Sequence, residues 1–378
     1  MKPLFRRGFL RAMGVCTALA VPGRAAPRPI IAGAIRWDAW YADTGPPREA
    51  QDTLGYPPWQ GRAPWFAKRD GPNHITAVGT QADMDEECRV AAAYGLSYWA
   101  FVMYAEDSPM SVAWHLYQAS ANQHMVNWCG IVGPGFLGND PFRSTGAWQA
   151  KDDAWVRYFA QPEYQKLEGN RPLLYLLWSD FEIGAYFGGD LDNFAASLRY
   201  LRARCGAAGV GNPYIVIMAG KAAHSAEILR AVGADAISDY IPDMGQPPAG
   251  AVPWRELDAR TQAFWASEAA QGVECIPIAT TGWDTRARRE HPESWTHQKP
   301  APNPQNYFVL PTPAQLRTHL AVAIAFVDTH KQSCRSQSLL IYSWDECDEG
   351  GNGMIPTLER PPTSSVDNNI MTLRNQVE

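Results

Sequence analysis

Nowhere does this sequence carry the run of lysines and arginines that a nucleic-acid arm needs, and its formal net charge of −6 gives the wrong field for a phosphate backbone. Nucleic acid is therefore not expected as a partner. No cysteines fall into a paired C-x-x-C, so a zinc site has little support and no metal is expected. Neither G-x-G-x-x-G nor G-x-x-x-x-G-K-[ST] follows any strand candidate, which leaves a nucleotide without a phosphate cradle. No cofactor is expected. Past the N-terminal segment, no apolar run approaches the ~20 residues of a membrane span. The mature protein is expected to be soluble, and its oligomeric state is not readable.

Aromatic rings are plentiful by contrast. The 378 residues include 15 Trp and 15 Tyr, and 46% are hydrophobic against 19% charged, the balance of a chain able to bury a full core. Flat amphipathic rings suit the apolar faces of pyranose sugars, although most rings in any protein are core. The first stretch, "MKPLFRRGFLRAMGVCTALAVPGRAAP", combines a basic start, an apolar segment and small residues at Ala25 and Ala26. That pattern predicts a cleaved signal peptide over 1–26. Arg6 and Arg7 before Phe9 and Leu10 resemble the twin-arginine type, which implies a periplasmic or secreted protein. Six cysteines follow the signal (Cys88, Cys129, Cys205, Cys275, Cys334 and Cys347), few enough for several to be buried thiols even where disulfides are permitted.

From residue 30 onward, short β-rich runs alternate with amphipathic segments, the mark of βαβ units around a parallel sheet. Strand candidates are 30–35, 96–103, 125–131, 173–178, 214–218, 236–240, 275–279 and 338–342; helical patterns occupy 82–94, 109–122, 152–166, 191–205, 221–232, 254–271 and 313–331, with a weaker one after 365. Eight repeats in unbroken series predict an α/β fold with one (β/α)8 TIM barrel over 27–378. Two long insertions, 41–80 and 285–312, are rich in Pro, Gly and aromatics. Both follow strand C-terminal ends, where barrel loops build the active site, and are expected to wall a cleft.

Polar and aromatic residues gather at those strand ends. Strand one leads into Trp37, Asp38, Trp40 and Tyr41; strand two into Tyr104, Glu106 and Asp107; strand four into Trp178, Asp180 and Glu182. Strand six ends in Asp239 and Tyr240, and strand seven in Thr281, Trp283 and Asp284. Carboxylates beside indoles at a barrel mouth suit a neutral polyol. The other reading of each carboxylate is a helix N-cap, foremost for Asp107 and Asp180.

Strand eight ends in "IYSWDECDEGGNG", which places Asp345, Glu346, Asp348 and Glu349 within five positions. Such crowding raises carboxyl pKa values and adds little stability. If the backbone curls through one helical turn, Glu346 and Glu349 share a face and point together into the cleft. Glycoside hydrolysis needs such a pair, one carboxyl protonated and one ionised, and mutual repulsion keeps one of them neutral. A calcium site and a solvated acidic turn are the alternatives, although D-E-C-D-E-G departs from the EF-hand order.

At these residues the chain resembles glycoside hydrolase family 99 and the family 99-like barrels. The resemblance rests on "GAIRWDAWY" at strand one, "IATTGWDTRAR" at strand seven, and "SWDECDEGG" followed by "MIPT" at strand eight; the last is the specific motif. It implies a cofactor-independent (β/α)8 retaining glycosidase acting on α-mannosidic or related linkages of a poly- or oligosaccharide. In such enzymes the substrate 2-hydroxyl attacks the anomeric carbon. Carried onto this chain, Glu346 becomes the base for that hydroxyl and Glu349 the acid/base. Two positions depart from the family pattern: Asp345 replaces Asn, and Cys347 replaces an aromatic. Trp283 and Trp344 are candidates for contact with the sugar, Asp284 for pairing with Arg286 or Arg288, and Tyr240 for donating to a hydroxyl. A non-catalytic carbohydrate-binding protein on a degenerate barrel and a lyase using Tyr240 with an arginine are the rival expectations.

Overall fold

The computed structural model describes residues 29–137, 147–242, 249–301, 304–350 and 354–362. The expected signal segment and the weak helix after 365 lie outside them.

Eight parallel strands form the barrel: β1 (Ile31–Arg36), β2 (Tyr98–Val102), β3 (Asn127–Val132), β4 (Arg171–Leu177), β5 (Tyr214–Met218), β6 (Ala236–Ser238), β7 (Ile278–Thr280) and β8 (Ser338–Tyr342). Each pairs with its sequence neighbour from β1 to β6, and β8 pairs with both β7 and β1. The remaining seam is bridged by Ile237 and Cys275, with Ile276 N–H donating to the Ile237 carbonyl at 2.9 Å. β7 is shorter than the run 275–279 suggests because Pro277 has no N–H to give to a ladder. Inside the barrel Gly33 lies so close to the Tyr98 ring that any added Cβ would collide with it. That space lets the Tyr98 hydroxyl meet Tyr175 at 2.7 Å across the lumen.

Helices cover the outside of the barrel at the expected places, among them Gln81–Ala93, Leu191–Ala208, Ala222–Val232, Trp254–Ala269 and Pro313–Thr329. Two of these begin with a capping box: Thr80 with Asp83, and Thr312 with Gln315. Among the described residues, no helix is long and apolar enough to cross a membrane. The six cysteines among the described residues are buried thiols, with the Cys275 and Cys334 sulfurs 3.8 Å apart and not joined as a disulfide.

Both insertions are folded. The first holds the helix Pro46–Leu54 and a hairpin of 68–71 with 74–76. The chain after β8 stitches it down, since Trp65 N–H donates to Pro356 and Leu358 N–H to Ala63. The second insertion packs against the first, with Thr53 Oγ1 donating to the His291 carbonyl at 2.8 Å and Trp59 Nε1 to Glu290 at 3.0 Å.

Candidate active site

At the C-terminal mouth of the barrel lies an open cleft of about 860 Å³. Its floor comes from the turn after β8, and its walls carry Trp37, Tyr104, Tyr240, Trp283, Trp295 and Arg288. The second insertion supplies Thr285, Arg288, Arg289, Trp295, Thr296 and Gln298 of that lining, so it does wall the cleft. The first insertion stands behind it as support.

The turn is the element that aims the acids. Gly350 N–H donates back to the Cys347 carbonyl, and Glu346 N–H donates to Ser343 Oγ at 3.1 Å. Gly350 sits at φ +71° with the Asp284 carbonyl against its α-carbon, where no side chain fits. Asp284 N–H in turn donates to the Glu349 carbonyl at 3.0 Å, tying this turn to the β7 loop.

Glu346 and Glu349 then converge on one atom. The Tyr342 hydroxyl, at the end of β8, lies 2.8 Å from Glu346 Oε2 and 2.5 Å from Glu349 Oε2. A hydroxyl owns a single proton, so one of these two contacts needs a carboxyl proton. Glu346 also accepts from the Tyr240 hydroxyl on its other oxygen. Burial first, and then the neighbouring Glu349 charge, raise the Glu346 pKa well above the carboxylate range, while the Tyr240 hydrogen bond and Arg288 oppose the rise. Burial and the Glu346 charge hold Tyr240 and Tyr342 as neutral donors.

Arg288 is the cation of this site. It donates to Glu349, to Asp348 at 2.5 Å and to Glu293 at 2.9 Å. Burial alone would depress its pKa, but Asp348, Glu349 and Glu293 more than offset that. Glu293 is pushed up to about 8, chiefly by desolvation, and Asp348 adds to that. Trp37 closes this side, its Nε1 donating to the Tyr104 hydroxyl at 2.8 Å and its ring 6.3 Å from Trp295.

A second charged group lies sealed between the barrel wall and the helix Gln81–Ala93. Arg36 donates to Asp38 at 2.7 Å and to Glu87 at 2.6 Å, and its guanidinium stands 4.5 Å from the Trp99 ring centre. Glu87 also receives the Tyr41 hydroxyl and, at 2.6 Å, Trp344 Nε1. Asp345 joins from β8 by accepting Trp37 N–H at 2.8 Å. Desolvation raises Asp38 to about 6 and carries Asp345 well above its ordinary value; the Asp38 charge adds to the rise of Asp345, while a hydrogen bond from Asp345 opposes that of Asp38.

Of the residues the sequence proposes for the site, the structure brings Trp37, Tyr104, Tyr240, Trp283, Glu346 and Glu349 together at the cleft. Asp38, Trp40, Tyr41, Trp344 and Asp345 instead belong to the sealed group or its packing, because neighbours in an extended segment point to opposite faces. Asp284 is buried and clamped by Arg286 at 2.7 Å and Arg62 at 2.5 Å, which ties the two insertions together and does not face the cleft. Glu106 lies in a separate small cavity, where it accepts from Tyr158 at 3.1 Å. Trp178 packs on Phe194 and donates to Asp180, which opens the helix Asp180–Phe187 after its cap Ser179. Tyr240 donates to Glu346, and Arg288 and Arg289 line the same cleft. Sequence reasoning gave no role to Tyr342, Arg36 or Glu87; a lone arginine closing an apolar strand was the available signal for Arg36.

No family model and no curated protein matches this chain. Among solved structures, the glycoside hydrolase family 99 endo-α-mannosidase from Bacteroides thetaiotaomicron, in complex with bis-tris-propane, aligns with a TM-score of 0.52 at 13% identity. The alignment covers 92% of this chain and 95% of that one. A further structure of the Bacteroides thetaiotaomicron endo-α-mannosidase gives 0.47 at 11% identity over 92% and 96% of the two chains. A glucosidase from Croceicoccus marinus gives 0.40 at 10% identity over 91% and 70%. At these identities the likeness is one of fold: the chain is a barrel of the kind glycosidases use.

Proposed function

We propose that this protein is a retaining glycoside hydrolase that cuts an α-linked glycan, manno-type or related, with Glu346 and Glu349 as its reacting carboxyls. The observation that carries the reading is their convergence on the Tyr342 hydroxyl at the floor of an aromatic-walled cleft. Two carboxyls in unlike surroundings are what acid and base roles at one bond require. Glu349 protonates the leaving oxygen. Glu346 takes the proton of the sugar's 2-hydroxyl as that oxygen closes on the anomeric carbon, giving a 1,2-anhydro sugar. Water then opens it, Glu349 taking the water's proton as base while Glu346 returns its proton to the 2-oxygen as the bond to the anomeric carbon breaks.

Burial and the Glu349 charge favour the proton on Glu346, whereas this reaction needs that carboxyl ionised. Tyr342 touches both carboxyls, so its hydroxyl offers a one-step path between them. Arg288 divides its donors among Asp348, Glu293 and Glu349, and therefore does not commit its whole charge to the acid. The N-terminal basic and apolar stretch supports export as part of the same reading.

Glu349→Gln is the deciding test. On α-linked oligosaccharides with unactivated leaving groups, kcat is expected to fall by at least ~10²–10⁴-fold while circular dichroism and melting stay those of the parent. An undiminished rate in the folded variant overturns the assignment.

A further inference from the structure

The segment that supplies part of the cleft wall does not match the charge of the rest of the protein, and of its bases Arg288 and Arg289 line the cleft. Between residues 285 and 301 stand Arg286, Arg288, Arg289 and Lys299 against Glu290 and Glu293 alone, a local excess of base in a chain of net charge −6. Arg286 is taken up by Asp284, and Arg288 by Asp348, Glu349 and Glu293. Among the described residues, Arg289 and Lys299 have no carboxylate partner. Arg289 lines the cleft together with Thr296 and Gln298, and among the described residues its side chain bonds only the Asn306 carbonyl, from Nη1 at 2.8 Å. The rest of its donor fork is uncommitted. Tyr240, Trp283 and the floor acids Glu346 and Glu349 line the same cleft.

We infer that the cleft takes an acidic glycan, a sugar bearing a carboxylate or sulfate ester that Arg289 reads beside the bond to be cut. A guanidinium fork matches planar carboxylate and tetrahedral sulfate alike by paired N–H donors. Neutral hydroxyls would leave that charge unused, and a cation at a focusing cleft also draws anions in from solution. This inference rests on the glycosidase reading for the place of the bond. For the anion it rests only on the wall.

The test uses the mature protein and its Glu349→Gln variant, with three probes of one backbone: a uronic-acid oligosaccharide, its carboxyl-reduced neutral form, and a sulfated form. Calorimetric binding to Glu349→Gln is expected to favour an anionic probe over the neutral one by roughly tenfold, and added salt should erode the preference. Adding Arg289→Gln should collapse that ratio, and Arg289→Lys should retain part of it. Which probe wins identifies the source of the anion. Equal affinity for charged and neutral probes, or a preference untouched by Arg289→Gln, overturns the inference. Product analysis with the unmodified enzyme reports separately on hydrolysis. Arg289-dependent binding without cleavage upholds the acidic-glycan inference and sinks the glycosidase reading; cleavage of the neutral probe as fast as the acidic ones does the reverse.

Discussion

Two arginines, Arg36 and Arg288, each sit among several carboxyl groups, and they differ in what lies on the far side. Arg36 is fully buried, with Asp38 and Glu87 on its donors and Asp345 nearby. Arg288 keeps 14% of its side-chain surface exposed and holds Asp348, Glu293 and Glu349, the last of which opens to the cleft. The turn after β8 feeds both clusters, sending Asp345 to one and Asp348 and Glu349 to the other. One acidic stretch thus supplies a sealed brace and a working floor. Carboxyl pKa values rise in both, but only at the cleft can a substrate reach the proton.

Removing each cation separates the two roles. Arg36→Met leaves Asp38 and Glu87 buried without their counter-charge and is expected to cost about 3–5 kcal/mol of stability, read by denaturant unfolding. Arg288→Met lies where water can enter, so a smaller loss of roughly 1–3 kcal/mol is expected. It should also lower kcat/KM on the order of 100-fold, because Glu349 loses its partner and its position. Equal stability losses, or an Arg288→Met enzyme of full activity, would erase the distinction between the clusters.

Asp345→Asn probes the sealed side alone. Asp345 keeps its proton in the folded state well beyond the pH at which an unfolded aspartate, with a pKa of about 3.9, gives it up. The native state therefore binds more protons than the unfolded one, and this group takes stability away as pH rises from there toward its folded value. Asp38, raised to about 6, adds a similar loss between about pH 4 and 6. Asparagine can still accept the Trp37 N–H and cannot ionise. The variant should thus gain on the parent as pH goes from 4 to 8 in thermal melts; parallel curves would show that Asp345 carries no proton of consequence.

Much of the barrel was readable because its strands are short β-rich runs separated by amphipathic helices. Single breaks were less visible. Pro277 shortened β7, and the helix Pro46–Leu54 hid in a proline-rich stretch although proline suits a helix's first turn. Within the site, the pairing of Glu346 with Glu349 followed from their spacing. Which strand-end residues face the cleft did not, since Trp37 and Asp38 are neighbours that part to opposite sides. Tyr342 closes an apolar strand and reads as core, and Glu87 sits in a charged helical run that reads as solvent-facing. Both acquire meaning only once β1, β8 and the helix over them are assembled.

The finest division lies within the cleft, between the two tyrosines that touch Glu346. Tyr342 contacts both acids, whereas Tyr240 donates to Glu346 alone. Its hydrogen bond favours ionised Glu346 against burial and the Glu349 charge, so Tyr240→Phe should raise the Glu346 pKa further. With the single proton of the pair favoured on Glu346, the high-pH limb of the kcat/KM profile reports its loss from the free enzyme. That limb should move to higher pH in the variant, with a rate at the optimum lower by no more than about tenfold. A limb that stays in place would mean that another group governs it, and Glu346 would lose its role as the titrating group.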